Sequence, residues 1–315
     1  MSLKVAFTDS DQDMTLTKEL LHKAGLDYVQ FQVKKPEEII KACQGMEVLI
    51  SQYAQMTREV IENIPSLKLI IRSGVGVDSV DLEAAKEKGV RVCNVPDGST
   101  IEVAEHALCL LLSIARKIVY MDHKVHEGHW TYKEAIPLYR LRGSTVGVIG
   151  IGRIGTEFAR LANAIGMKVI AYDKFATSLR EDQNFMRLVD LDTLLATSDF
   201  ISVNCPLNGN VNLICEKELE KMKSNCCIVN VSRGGIINED DLYKALAANT
   251  IRGAAMDVAT KEPIPKDNPL LTLDNYICTP HIAFYSTSSA DTIATKVVEE
   301  VVRYAKGENL RCVVV

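Results

Sequence analysis

Short apolar runs and stretches with helical spacing alternate along most of the chain. Residues 3–9 read as a strand, and residues 16–23 follow with helical spacing. Residues 28–33, 47–51, 67–73 and 91–95 read as further strands, with helices over 37–43, 58–64 and 82–88 between them. A second series repeats the pattern. Its strands are 145–149, 168–173, 200–204, 226–232, 253–258 and 276–279, and its helices are 154–165, 191–196, 216–223 and 239–248. Near-continuous apolar strands joined by helices predict parallel sheets covered on both faces, with right-handed crossovers.

Residues 99–125 bridge the two series. Ile101, Ala104, Leu108, Leu111, Leu112, Ala115 and Val119 follow the 3–4 spacing of a helix, and Leu110 and Ile114 widen its apolar face. This predicts one long buried helix at the junction, capped by Ser99 or Thr100. Residues 285–315 hold one amphipathic helix (Ile293, Val297, Val298, Val301, Val302, Ala305) that ends at Gly307. They are too few to fold alone and are expected to dock on the N-terminal series. The fold class is therefore α/β, with two Rossmann-like, doubly wound parallel-sheet domains. No solenoid repeat or low-complexity segment interrupts them.

Composition narrows the function classes. The chain has 315 residues, more than one typical domain of about 100–200. Its 47% hydrophobic and 24% charged residues exclude global disorder. Lys+Arg number 36 against 41 Asp+Glu, a net charge of −5 with no basic block, which argues against a nucleic-acid partner. The longest apolar run is 107–112, far short of the ~20 residues that span a bilayer. No secretory leader opens the chain, so a cytoplasmic protein with no membrane partner is expected. Cysteines stand at nine positions, 43, 93, 109, 205, 215, 226, 227, 278 and 312, with no C-x-x-C pair. They read as free thiols in a reducing compartment, with Cys109, Cys227 and Cys278 inside apolar segments. His123, His126 and His129 recur every third residue, but no matching Cys or acidic spacing accompanies them, so a solvated helix face is expected and no metal.

The sharpest local feature is G-x-G-x-x-G at Gly150, Gly152 and Gly155. It follows a predicted strand and opens a predicted helix, and the next strand ends at Asp173, 18 residues beyond Gly155. That context is what a dinucleotide-binding fingerprint requires. Gly150 allows the tight turn, Gly152 lets a pyrophosphate approach the backbone, and Gly155 lets helix and strand pack closely. The pyrophosphate is expected at the positive end of the helix. Asp173 can accept from both ribose hydroxyls and would repel a 2′-phosphate, so NAD is favoured over NADP, although Lys174 follows it.

Polar residues at the carboxyl ends of second-series strands would face the cofactor crevice. Cys205-Pro206, Ser232-Arg233-Gly234-Gly235, Asp257 and His281 stand at such places, and Glu262 lies in a Pro-rich loop. Arg233, Glu262 and His281 form a plausible set for reducing a keto group. Histidine titrates close to neutral pH and can supply the proton. A carboxylate beside it favours the imidazolium and fixes the ring. Arginine grips a carboxylate through two parallel hydrogen bonds.

Eight motifs in order resemble the D-isomer-specific 2-hydroxyacid dehydrogenase family: Arg72-Ser-Gly-Val-Gly-Val-Asp78, Asn94-Val-Pro-Asp97, Glu102-Val-Ala-Glu105-His106, Gly150 to Gly155, Asn230-Val-Ser-Arg233-Gly-Gly235, Asp257-Val258, Glu262-Pro263 and Thr279-Pro-His281-Ile-Ala283. The resemblance implies that Arg233, Glu262 and His281 are catalytic. It gives Ser73, Gly74, Val75 and Gly76 to the substrate carboxylate, together with Arg233 and His281. It gives Val75, Arg153, Ile154, Asp173, Cys205, Pro206, Val231, Ser232 and Asp257 to the cofactor, beside the three glycines. It also implies an NAD domain (98–284) inserted in a discontinuous substrate domain (1–97 and 285–315), and a homodimer joined through the NAD domain. The implied activity is NAD-dependent oxidoreduction of a small 2-keto or D-2-hydroxy acid.

Within the family, the segments around His281 and His129-Trp130 are most similar to the branch of the C-terminal-binding-protein corepressors, which usually has Trp where Phe284 stands. A NAD-sensing dimeric interaction protein is thus an alternative, but the chain carries no long disordered flanks and an enzyme is favoured. Phosphoglycerate dehydrogenases are the other neighbour. They usually carry a cation in the loop that is Ser51-Gln-Tyr-Ala-Gln-Met56 here, where there is none, and no regulatory domain is expected after Val315. This favours an unphosphorylated substrate of the glyoxylate or hydroxypyruvate type, with Arg72 left as a possible phosphate ligand.

Overall fold

The computed structural model describes residues 3–315, so the first two residues of the expected substrate domain lie outside the described residues. The chain divides into two compact units. One takes the chain up to Ser99 together with Tyr285–Val315, and the other is Thr100–Phe284.

In the first unit five parallel strands, β1 (Val5–Phe7), β2 (Tyr28–Gln30), β3 (Val48–Ser51), β4 (Leu69–Arg72) and β5 (Arg91–Cys93), run in the order β2-β1-β3-β4-β5. Alternate residues feed two cores. Val48 and Ile50 pack with Ile293, Val297 and Val301 of the helix Thr287–Ala305, while Leu49 packs with Ile39, Val60 and Ala84 on the opposite face. Ser286 caps that helix by accepting from the Ser289 amide at 2.9 Å. The end of the chain then covers the free edge of β5: the Val92 amide donates to the Val315 carbonyl at 2.8 Å, and the Val314 amide to the Val92 carbonyl at 2.7 Å.

The second unit holds seven parallel strands: β6 (Thr145–Ile149), β7 (Lys168–Tyr172), β8 (Met186–Leu188), β9 (Phe200–Val203), β10 (Cys227–Asn230), β11 (Gly253–Met256) and β12 (Tyr276–Cys278). Their order is β12-β11-β10-β9-β6-β7-β8, so the winding reverses between β6 and β9. This is the doubly wound dinucleotide-fold order with one added strand. The register aligns Tyr172, Ile149, Val203, Asn230, Met256 and Cys278 in a single row. The loops that follow them therefore leave the sheet at one level. β8 was not expected. It is three residues at the sheet edge with only Met186 buried, too little pattern to stand out.

The bridging helix differs from expectation. It is two helices, Thr100–Ala115 and Ile118–His126, separated at Lys117, whose φ is 51°. The first buries Val103, Ala107, Leu111 and Ile114, with Phe158 and Ala159 of the helix Arg153–Ala164 in the same core. The second buries none of its residues, and Val119 is 39% exposed. Burial is not all-round in the first helix either, since Ile101 and Cys109 are exposed. Apolar spacing records a face, whereas a left-handed residue ends the helix without leaving a mark in that spacing. Cys227 is buried and Cys278 half-buried, and the nine cysteines are free. His123, His126 and His129 are exposed. Among the described residues no helix is long and apolar enough to cross a membrane.

Candidate active site

The Gly-rich turn leaves β6 at the point where the winding reverses. Gly150 has φ 90°, and a Cβ there would lie 2.9 Å from the Asn204 carbonyl group and the Cys205 amide. A Cβ on Gly155 would overlap the Gly150 carbonyl oxygen. Gly152 caps the helix Arg153–Ala164 and has open space around it. The Ile151 peptide is held at both ends. Its amide donates to Asp173 Oδ2 at 3.0 Å, and its carbonyl accepts from Thr156 Oγ1 at 3.0 Å and from the buried Gln183 Nε2 at 3.1 Å. Asp173 Oδ1 accepts from the Phe175 amide at 2.9 Å. Gln183 and Thr156 carry no motif, and sequence reasoning missed them.

These residues fit a dinucleotide. Uncapped amides open the helix, Gly150 and Gly155 admit no side chain, and the Oδ1 of Asn204 is buried with no hydrogen-bond partner at the edge of the same turn. Cys205 follows, and burial, with the nearby Asp173 charge adding to it, pushes its thiol up to about 11, so it stays protonated at neutral pH.

Arg233, Glu262 and His281 stand on loops after β10, β11 and β12. Buried Asn230 shapes the first loop: its Oδ1 accepts from the Ser232 amide at 2.9 Å, and its Nδ2 donates to the Arg233 carbonyl at 2.9 Å. Ser232 Oγ donates to the Val203 carbonyl at 2.9 Å. A Cβ on Gly234 would overlap the Ala259 carbonyl, so the first and second loops touch main chain to main chain. Glu262 Oε1 accepts from the Ala259 amide at 3.0 Å, and its Oε2 lies 2.7 Å from His281 Nδ1. Burial opposes ionisation of Glu262. The His281 hydrogen bond, the Ala259 amide and the charges of His281 and Arg233 outweigh it and hold the carboxyl below its usual range. Phe284 meets the His281 ring edge-on at 6.4 Å. The loop of His281 is tied to buried Asp257, whose carboxylate accepts from the Ile282 and Ala283 amides at 3.0 and 2.8 Å. Val231 is buried beside Asn230 and Ser232.

Ser73, Gly74, Val75 and Gly76 belong to the other unit, in the loop after β4. The Val75 carbonyl accepts from Asn94 Nδ2 at 2.7 Å, and the Gly74 carbonyl from the Val95 amide at 2.9 Å. Gly74 has φ 148°, and a Cβ there would overlap the Arg72 guanidinium. The neighbouring loop 51–56 carries no cation of its own, but cations from adjacent segments reach it. Lys34 Nζ lies 4.9 Å over the Tyr53 ring. Burial and then the Asp11 charge push the Tyr53 hydroxyl up, while Gln52 and Arg72 pull the other way.

Residues 108–283 match the family described as D-isomer specific 2-hydroxyacid dehydrogenase, NAD binding domain. The chain belongs to this family. It is 42% identical over 295 residues to D-3-phosphoglycerate dehydrogenase of Archaeoglobus fulgidus, covering 93% of this chain and 56% of that protein. It is 38% identical to hydroxypyruvate reductase of Thermotoga maritima, covering 92% of this chain and 94% of that protein. The chain thus spans little more than half the length of the phosphoglycerate dehydrogenase relative and nearly all of the hydroxypyruvate reductase. Among solved structures it superposes with TM-score 0.88 at 29% identity on D-lactate dehydrogenase from Aquifex aeolicus complexed with NAD and lactic acid, covering 97% of this chain and 96% of that one.

The glycines separate packing from binding. Gly155→Ala forces a Cβ into a main-chain carbonyl and is expected to destabilise the protein at or above the upper end of the ~1–3 kcal/mol typical of overpacking. Gly152→Ala meets no atom and loses only a cap preference of about 1 kcal/mol or less. Urea unfolding of the two variants checks this, and equal losses would contradict the packing described.

Proposed function

We propose that the protein is an NAD-dependent oxidoreductase that reduces a short 2-keto acid to a 2-hydroxy acid. The observation that supports this best is the 2.7 Å contact between His281 Nδ1 and Glu262 Oε2, on loops level with the Gly-rich turn and with Arg233 on the adjoining loop. Nicotinamide, when bound, supplies the hydride. The amides at Arg153 and Ile154 and the Gly150–Gly152–Gly155 turn hold the pyrophosphate, and Asp173 holds the ribose. Cys205, Pro206, Val231, Ser232 and Asp257 line the remainder of the cofactor path. Because Nδ1 of His281 faces a carboxylate, Nε2 is the nitrogen that exchanges a proton with the substrate oxygen. Arg233 grips the keto acid and polarises its carbonyl.

The sign of the pH effect follows from Glu262. Its carboxyl is held below the usual range, and the negative charge favours the imidazolium that reduction requires. In Glu262→Gln that charge is gone, and the alkaline limb of kcat/KM for reduction is expected to move to lower pH. His281→Ala is expected to lose roughly 10²–10⁴ in kcat while still binding NADH. An NADH-oxidation screen over 2-keto acids, with pH profiles of both variants, tests the reading. Superimposable wild-type and Glu262→Gln profiles would remove the pairing, and near-normal turnover by His281→Ala would remove the mechanism.

The absence of a cation within loop 51–56 favours glyoxylate or hydroxypyruvate as substrate. Lys34 and Arg72 beside Tyr53 support a second reading, in which the acid carries a phosphate. Under the first reading Arg72→Leu leaves the ratio of kcat/KM for hydroxypyruvate to that for 3-phosphohydroxypyruvate within about twofold. Under the second, the phosphorylated acid is preferred and the variant loses about tenfold on it alone, equivalent to ~1.4 kcal/mol.

Many of the exposed apolar residues of the Thr100–Phe284 unit fall within residues 101–139, among them Ile101, Ile118, Val119, Trp130, Tyr132 and Ile136. A second copy of the chain is the partner we assign to them. Sedimentation is expected to give twice the chain mass of 34.8 kDa, and Val119→Asp to lower it to the single mass. A wild-type monomer at micromolar concentration would contradict the assignment.

A further inference from the structure

A second hydrogen-bond chain meets the turn of His281, and it does not involve Glu262. Its centre is Asp257, which is buried. The carboxylate accepts from Thr279 Oγ1 at 2.6 Å and from the Ile282 and Ala283 amides at 3.0 and 2.8 Å. The Asp257 main-chain carbonyl accepts from the His281 amide at 2.8 Å. The His281 amide is shared with the Thr279 carbonyl at 3.0 Å, and every amide from His281 to Ala283 reaches Asp257. Beyond Thr279 stands His106, on the helix Thr100–Ala115. Its Nε2 lies 3.0 Å from Thr279 Oγ1 and 3.5 Å from Asp257 Oδ1.

The direction of this chain follows from proton counting. A threonine hydroxyl has one proton, and here it goes to the carboxylate. The Thr279 oxygen is left to accept, so His106 Nε2 is the donor. The sequence runs from His106 Nε2–H to Thr279 Oγ1–H to Asp257 Oδ1. His281 itself has φ 55°, in the left-handed region that disfavours a side chain. Such a conformation persists where the surroundings over-determine it. Without the Thr279 hydroxyl, Asp257 Oδ1 loses the shortest of its contacts, and only the Ile282 and Ala283 amides then hold the carboxylate against turning about its own bond. The two amides that it orders would turn with it.

We infer that His106 and Thr279 are positioning residues for His281. They act through Asp257, and their importance for turnover rests on the reductase reading above. Neither touches the reacting atoms. They fix the turn 279–283 so that the imidazole is aimed before substrate arrives, and a misplacement on the order of 1 Å at such a group lowers the rate by up to about 10².

The test uses the full chain with four substitutions. Thr279→Val removes the hydroxyl at constant shape and Thr279→Ser restores it. His106→Leu removes the donor and His106→Gln restores an N–H. In keto-acid reduction, kcat is expected to fall roughly 10- to 100-fold in Thr279→Val and His106→Leu. Both KM values should stay within about twofold, and Thr279→Ser and His106→Gln should recover most of kcat. Amide exchange at Ile282 and Ala283, read without turnover, should accelerate in the valine and leucine variants and not in the serine and glutamine ones. Unchanged exchange at these two amides overturns the inference, as does unchanged kcat or a fall in kcat that the restoring variants do not reverse. A wild-type protein that reduces no 2-keto acid, with exchange changing as stated, overturns the reductase reading and supports the clamp.

Discussion

The register of one parallel sheet sets the geometry of the candidate site. Tyr172, Ile149, Val203, Asn230, Met256 and Cys278 form a single row, and Asp173, Gly150, Asn204, Val231, Asp257 and Thr279 come next in the chain. The register is held by burial on both faces. Val148 and Val229 belong to one core, and their neighbours Ile149 and Ile228 to the other. A slip of one residue would send each side chain to the wrong core. It would also move a loop by about 3.3 Å, which exceeds the whole ~2.6–3.2 Å reach of a proton-transfer contact. The apolar pattern of the strands is therefore also the ruler for the polar groups at their ends.

Above that row the loops are fixed by side chains that bind main chain. Asn230 holds the loop of Arg233, Glu262 reaches the Ala259 amide, Asp257 holds the turn of His281, and Asp173 holds the Gly-rich turn. Asn230 and Asp257 are buried, and buried groups of this kind are expensive to leave unmatched, so these two strongly favour one loop conformation each. The His281–Glu262 pair works differently. Its side chains remain 32% and 39% exposed, and ion pairs this open contribute about 0–1 kcal/mol. On the proposed mechanism its contribution would lie in ring orientation and charge at the reacting end, while the rigidity comes from the buried network beneath it.

The strand–helix alternation, the two series and the Gly-rich turn could be read from the chain because each is written locally, in runs of apolar residues or in glycines at fixed offsets. The set Arg233, Glu262 and His281 could be read because each follows a strand end. What escaped notice depends on contacts between distant residues. Thr279 reaches Asp257 and His106 across 22 and 173 positions, and no local pattern encodes that. Gln183 sits on the segment leading to β8, an edge strand of three residues. The break at Lys117 escaped for another reason: the apolar spacing continues through it, and only the backbone angle departs.

Asp173 is a carboxylate whose structural hydrogen bonds and proposed selectivity can be weighed against each other. One oxygen receives the Ile151 amide and the other the Phe175 amide, so the residue joins the Gly-rich turn to the loop after β7. Each oxygen keeps a further acceptor position for a ribose hydroxyl. Magnitudes decide which role dominates towards a dinucleotide. A neutral main-chain hydrogen bond contributes about 1 kcal/mol net. A 2′-phosphate about 4 Å from the carboxylate would meet roughly 4 kcal/mol of repulsion per unit charge at an effective dielectric near 20, before screening. Lys174 is exposed, and its ammonium sits 3.5 Å from the Gly209 carbonyl, so its charge is spread into solvent and offsets only part of that repulsion. On the proposed reading, discrimination against a 2′-phosphate would come mainly from the Asp173 charge, held in place by the Ile151 and Phe175 amides.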